Sequence, residues 1–301
     1  MRRSDPRGLG VVVVAAAFFA AATVMARLAY AAGADPPIVV ALRFVVGAAV
    51  LWVVVAIGRR RARLRRNDAL WMVAMGAVSV VVGLLFFAAV QRLGAGPGTL
   101  TLYAHPALVA GVAAVLRWER FGPLKAVALL VGLGGVALVV GTPAGGIDAV
   151  GVLLGLGAAV ALAVYVLQAK RAGEGVEPVV AGAWVLSSAA VVFVPPAVAG
   201  GLLDLGQTAA AWGWLAGLGA ATGAAFALFL KAVSLLGPSR ASIGASAEPL
   251  LAVVFGALLL GERLSAIQLV GGTLVIAAVA LLPMVESRSV ALGEAPPLGE
   301  G

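Results

Sequence analysis

The sequence predicts an all-α integral membrane protein, with ten transmembrane helices forming two inverted five-helix repeats. Three observations carry that expectation. The 301 residues are 62% hydrophobic and only 11% charged, with a mean hydropathy of +1.10, whereas an ordinary soluble domain is about 25% charged. Apolar area in that excess must face something other than water. Apolar runs of about 20 residues, the length that crosses a bilayer, recur along nearly the whole chain. The chain also matches itself at a fixed offset.

The spans are expected near 9–32, 38–57, 69–90, 98–116, 124–141, 149–168, 179–199, 209–230, 241–260 and 266–285, with 286–301 as a disordered cytoplasmic tail. Arg2, Arg3 and Arg7 ahead of the first apolar run, with Ala29-Tyr30-Ala31-Ala32 after it, resemble a secretory signal. The run is longer than a signal core and has a partner in the repeat, so it reads as a retained helix. Gly and Pro mark the junctions, as in Asp35-Pro36-Pro37, Gly94-Ala95-Gly96-Pro97, Gly122-Pro123, Thr142-Pro143 and Gly237-Pro238. The linkers leave no room for an extramembrane domain.

Charge sets the orientation. With the N-terminus inside, cytoplasmic segments hold 17 of the 21 basic residues, six of them in the loop Arg59, Arg60, Arg61, Arg63, Arg65 and Arg66. The outer loops hold only Arg92 and Arg263, a strong positive-inside asymmetry. Both termini are therefore expected in the cytoplasm. The net charge of +8 reads as this topogenic signal, with no nucleic acid as a partner.

Residues 71–120 align with 214–263 without a gap at an offset of 143, with 16 of 50 positions identical. The matches include Trp71 with Trp214, Phe86 with Phe229, Pro106 with Pro249, Glu119 with Glu262 and Arg120 with Arg263. A weaker match pairs Gly10 with Gly151 and Pro37 with Pro178. The chain thus divides into five-helix repeats at 9–141 and 149–285. Five spans per half force opposite orientations, the arrangement by which two related halves expose a midplane site to either side in turn.

A Pro-containing helix followed by Leu-Leu-Leu-Gly-Glu-Arg-Leu at 258–264, echoed at 115–121, resembles the drug/metabolite transporter superfamily, EamA type. Ala-Leu-Arg-Phe at 41–44 and Gly271-Gly272 add to the resemblance, which covers about residues 9–285. The first span has Ala22-Thr23 where the family commonly has Trp-Gly, and His105 is unusual for it. The resemblance implies a ten-helix exporter or importer of small metabolites with both ends cytoplasmic, and export of a small metabolite such as an amino acid or related compound is the expectation taken from it.

Ionisable groups inside hydrocarbon are costly and mark function. Four fall within spans: Arg27, Arg43, His105 and Glu248. His105 and Glu248 are repeat-related, and each directly precedes a matched proline, Pro106 or Pro249. A proline removes a backbone donor and loosens the turn before it, which frees carbonyls to face a cavity. The substrate-binding or coupling set is therefore Glu248, His105, Arg43, Tyr103 and Ser246. The structural alternative has His105 and Glu248 neutral and satisfied by a neighbouring Ser, Thr or Tyr, such as Thr101 or Ser246. Arg43 is expected either to receive a substrate carboxylate or to pair with Asp35 or Glu248. Arg27 and Lys231 lie close enough to span ends to snorkel. Glu119, Arg120, Glu262 and Arg263 read as structural caps or hairpin ion pairs. Trp71, Tyr103, Tyr165, Trp184 and Trp214 either line a cavity or belong to the interfacial belt.

One His and no Cys exclude an ordinary zinc cluster, and no Walker A sequence occurs. No catalytic residue, metal or cofactor is expected. Gly132-Leu133-Gly134-Gly135 reads as a close-packing surface, and Ser187-Ser188 as interhelical hydrogen-bonding groups. The partners expected are a small-molecule substrate, protons and the lipid bilayer, with the protein multi-pass in the cytoplasmic (inner) membrane. The reading that follows is a secondary transporter working by alternating access. The alternative is a membrane-embedded enzyme or a non-transporting membrane subunit.

Overall fold

The structure, a computed structural model, describes residues 6–61, 63–93, 101–118, 122–140, 148–172, 176–260 and 265–291. Among these the chain is helix and turn, without a strand. The helices are α1 (Pro6–Ala31), α2 (Pro36–Ile57), α3 (Arg66–Leu93), α4 (His105–Val115), α5 (Pro123–Val140), α6 (Ala149–Ala172), α7 (Pro178–Ala199), α8 (Ala209–Leu236), α9 (Pro238–Ala245), α10 (Ala247–Leu260) and α11 (Ala266–Ala291). Prolines open α2, α4, α7 and α9, where a missing N–H costs nothing because no partner lies upstream.

Seven segments are long and apolar enough to cross a membrane, joined by shorter apolar helices at His105–Val115, Pro123–Leu138 and Leu269–Ala278. Two expected spans contain a turn, the second of them inside the 22-residue candidate span Pro238–Leu259. Residues 98–116 do not form one helix: Tyr103 and Ala104 make a turn, and α4 begins at His105. Residues 241–260 are divided at Ser246, between α9 and α10. In both places a proline follows within three residues and has no N–H to give the carbonyl four residues back, so the Leu102 and Ala245 carbonyls lose that helical partner. The last helix continues to Ala291, six residues past the expected end.

Exposure is inverted relative to a water-soluble fold. Large aliphatic side chains such as Val53, Leu130, Leu153, Val191 and Leu258 are more than half exposed on the outside. That surface suits lipid, where the interior gains from close packing rather than from expelling oil. The interior is built largely from Ala and Gly. A Cβ on Gly76 (α3) would meet the Val185 carbonyl and Ala189 nitrogen of α7 at 2.8 Å each. A Cβ on Gly219 (α8) would meet Val46 Cβ and, at 3.0 Å, the Leu42 carbonyl of α2.

The packing register places the site. Helices α1 and α8 run antiparallel: Gly8 faces Leu236, Gly217 faces Met25, and Thr208 Oγ1 donates to the Ala32 carbonyl at 3.2 Å. Arg60 pairs with Glu177, which joins the α2–α3 and α6–α7 connections at one end of the bundle. Arg92 meets Asp148 at 3.0 Å at the other end. Ser187 accepts from Trp52 Nε1 at 2.9 Å and links α2 to α7 as expected. Ser188 corrects its half of that expectation, because its hydroxyl donates to the Trp184 carbonyl of its own helix.

Candidate functional site

The two helix breaks lie against each other, since α9 packs on α4 and α10 packs on α1. Each turn places the start of a helix inside the bundle, and the amides of Ala104 and Ser246 bond back to Thr101 and Ile243 at 3.2 and 3.1 Å. Glu248 and Pro249 sit in the first turn of α10 and His105 and Pro106 in the first turn of α4. The sequence placed both residues within continuous spans. They stand instead where a helix begins.

Glu248 is half-buried and accepts a hydrogen bond from the Tyr103 hydroxyl. Tyr103 is 4% exposed, so this bond lies in the interior. The guanidinium of Arg43, on α2, acts electrostatically on both Glu248 and Tyr30. Asp35, the other acid named for Arg43, stands at the N-cap of α2 without a side-chain capping bond. Arg43 also lies over the Phe44 ring, 5.5 Å from its centroid, a geometry that favours a cation. Its Nε is buried and has no hydrogen-bond partner among the described residues, and neither has the hydroxyl of Tyr30.

His105 is buried, and its Nδ1 lies 3.0 Å from the Leu102 carbonyl. A carbonyl only accepts, so this contact places the proton on Nδ1 and leaves Nε2 as an acceptor. The imidazole sits 5.9 Å from the Tyr103 ring at a tilt of 51°. His105 therefore supports the residue that holds Glu248, and its partner is a backbone carbonyl rather than a Thr101 hydroxyl. Ser246 is buried too, but its hydroxyl donates to the Ser242 carbonyl at 3.5 Å, along its own helix. It does not reach Glu248, which corrects that pairing.

Arg27 and Lys231 are exposed, in keeping with snorkelling. Trp71 and Trp214 are 38% and 39% exposed, as interfacial residues would be, whereas Tyr165 is buried. Trp184 packs edge-on against Trp52 with centroids 5.7 Å apart. Glu119, Arg120, Glu262 and Arg263 lie outside the described residues. Tyr30 belongs to the site and was not singled out by sequence reasoning. The available signal was scarcity: the chain has three tyrosines, and all three stand inside apolar helices or at their breaks.

The groups offer complementary chemistry. Glu248 can hold a proton or a cation, Tyr103 donates to its carboxylate, and Arg43 supplies a fixed positive charge beside an unpaired phenol. Such a set either closes on itself or opens to a charged solute.

The chain is 29% identical over 231 residues to the uncharacterized inner membrane transporter YicL of Salmonella typhimurium, covering 74% of this chain and 76% of that one. It is 27% identical over 283 residues to the uncharacterized transporter YvbV of Bacillus subtilis, covering 85% and 84%. A protein of known crystal structure superposes with a TM-score of 0.79 at 19% identity, over 95% of this chain and all of that one, which shows a shared fold. The EamA-like transporter family matches twice, at residues 6–141 and 149–284. With both stretches matched and its relatives named as transporters, this multi-pass helical membrane protein belongs to the EamA-like transporter family.

Proposed function

We propose that the chain is a secondary transporter, moving a small metabolite such as an amino acid or related compound out across the cytoplasmic membrane by alternating access. The observation that carries this reading is Glu248. Its carboxylate stands at the break of a discontinuous helix, bonded to Tyr103 and facing Arg43, where discontinuous helices of transporters hold their solutes and coupling ions. Binding of a proton or cationic group at Glu248 weakens its hold on Tyr103 and Arg43. The two access states then shift by the difference in their affinities.

The inverted repeat of 9–141 and 149–285 fits this reading. The family matches once per half. The close contacts of Gly76 with Val185 and Ala189, and of Gly219 with Leu42 and Val46, are related by the same 143-residue offset that aligns the sequence. That is the relation a pseudo-twofold axis in the membrane plane produces.

The test begins with an untargeted metabolite comparison of cells with and without the protein. The metabolite that changes is then followed in vesicles. Glu248→Gln keeps the shape of the side chain but cannot ionise. It should insert and purify as the parent does, and lose about tenfold or more of the transport or its pH dependence, within the usual range of site-to-site coupling. Normal transport by Glu248→Gln across pH would make the carboxyl a packed neutral group and place the site elsewhere.

A further inference from the structure

A cavity of about 140 Å³ opens at the Arg60–Glu177 end of the bundle, between α3, α6, α7 and α8. Its lining includes Met72, Met75, Ala169, Leu230 and Ser234. One helical turn deeper on α6, Ala169 is followed by Tyr165, and one turn deeper on α8, Leu230 is followed by Phe226. Residues four apart share a helix face. These two deeper residues touch, with ring centroids 5.8 Å apart at 71°. Phe226 in turn packs edge-on against Phe19 of α1 at 5.7 Å and 66°, and Phe19 against Phe229 at 6.4 Å. Tyr165, Phe226 and Phe229 are all under 10% exposed.

The register of α8 fixes what lies beyond these rings. Arg43 on α2 is level with Gly219, because the Cβ of Gly219 would meet Leu42 and Val46 on either side of it. Along α8 the order is therefore the Arg43 level, then Thr222, then Phe226, then the cavity wall at Leu230 and Ser234. The rings come from α1, α6 and α8, so they bridge the two matched halves of the chain. The Tyr165 hydroxyl and Gln168 Oε1 at this level are buried and have no hydrogen-bond partner among the described residues. Purely structural packing would favour Phe and Leu at these two positions, since a buried polar atom left unpaired is costly.

We infer that Tyr165, Phe226 and Phe19 form the closed gate between this cavity and the level of Arg43. This inference rests on the transporter reading above. Opening separates these edge-to-face rings. The Tyr165 hydroxyl and Gln168 carbonyl oxygen are then exposed to a passing polar solute.

The chain has no cysteine, so single cysteines report access directly. Ser234→Cys lies in the cavity wall, and Thr222→Cys lies one turn beyond Phe226, at a residue 1% exposed. Each is placed in the full chain in sealed vesicles of both orientations and treated with a membrane-impermeant sulfonated maleimide. Ser234→Cys should react rapidly from one side and Thr222→Cys only slowly from that side. Adding Phe226→Leu or Phe226→Ala should speed Thr222→Cys about tenfold, as when an open form rises from about 1% to about 10% of the population. Tyr165→Phe, which keeps the ring, should leave its rate unchanged.

Gel filtration and the Ser234→Cys rate show that each variant is folded, and Phe226→Leu stands in if Phe226→Ala is not. Equal rates for Thr222→Cys and Ser234→Cys in the parent would overturn the gate. So would an unchanged Thr222→Cys rate in a folded Phe226→Leu variant. Labelling needs no substrate, so these results are independent of the Glu248→Gln outcome. The gate and the transporter reading can thus fail separately.

Discussion

Asp148 closes the N-terminus of α6 with both carboxylate oxygens. One accepts from the amides of Val150 and Gly151 at 2.9 and 3.1 Å, and the other from Arg92 at 3.0 Å. The Gly151 amide first, and then Arg92, hold its carboxyl below the ordinary value of 3.8. A depressed value contributes stability that is present above pH 3.8 and is lost as the pH falls through the lower folded value. Thermal unfolding in detergent should therefore show Asp148→Asn less stable than the parent near neutral pH, with Asp148→Ala lower still because it also loses the cap. The gap between parent and Asp148→Asn should close below pH 3.8. A gap that persists there would mean that the charge does not act. Single residues differed in how readable they were. Glu248 and His105 were legible because charge inside hydrocarbon is rare and the repeat aligned them. Tyr30 was not, because an amphipathic ring near a span end looks like a belt residue until Arg43 is found beside it.

Helix contacts here depend on which glycine faces a neighbour. In Gly132-Leu133-Gly134-Gly135 the sequence marks a packing surface without saying which side is used. A Cβ on Gly135 would stand 2.7 Å from the Gly271 carbonyl and 2.8 Å from the Val275 nitrogen of α11, whereas one on Gly134 meets nothing within 4 Å. Backbone atoms cannot swing away as a flexible side chain does. Gly135→Ala should thus cost about 1–3 kcal/mol by overpacking. Gly134→Ala should be neutral or gain up to about 1 kcal/mol from helix propensity. Thermal unfolding of the pair decides it, and equal effects would show that the α5–α11 contact is not as close as described. The same elements show where pattern reading stopped. Hydropathy sees 98–116 and 241–260 as continuous because Tyr103, Ala104 and Ser246 are compatible with an apolar run. The prolines that break these helices also occur in helices that merely kink; Pro195 and Pro196 lie inside α7 without ending it.

At the scale of the molecule, the class of fold follows from composition, whereas sidedness is a separate matter that the charge pattern predicts. All-helical architecture was legible because an apolar chain has few ways to satisfy its backbone in lipid. The shortness of α4 was not, since a helix of 11 residues spans about 16 Å, well under the hydrocarbon thickness. The loops divide into two sets. Arg60 and Glu177 join the α2–α3 and α6–α7 connections at the cavity end. Arg92 with Asp148, and Thr208 with Ala32, tie connections at the opposite end. The basic residues fall with the same division, six arginines lying at 59–66 beside Glu177. Reporter fusions after residues 63 and 172 should therefore read cytoplasm, and fusions after 145 and 204 should read outside. The agreement of 63 with 172 tests the bundle's two ends, and the opposition of 63 to 204 tests the inversion itself, because those positions end equivalent helices of the two halves. Fusions at 63 and 204 that report the same side would leave the halves parallel. The pseudo-twofold axis, and with it the reason for placing a shared site at the helix breaks, would then be lost.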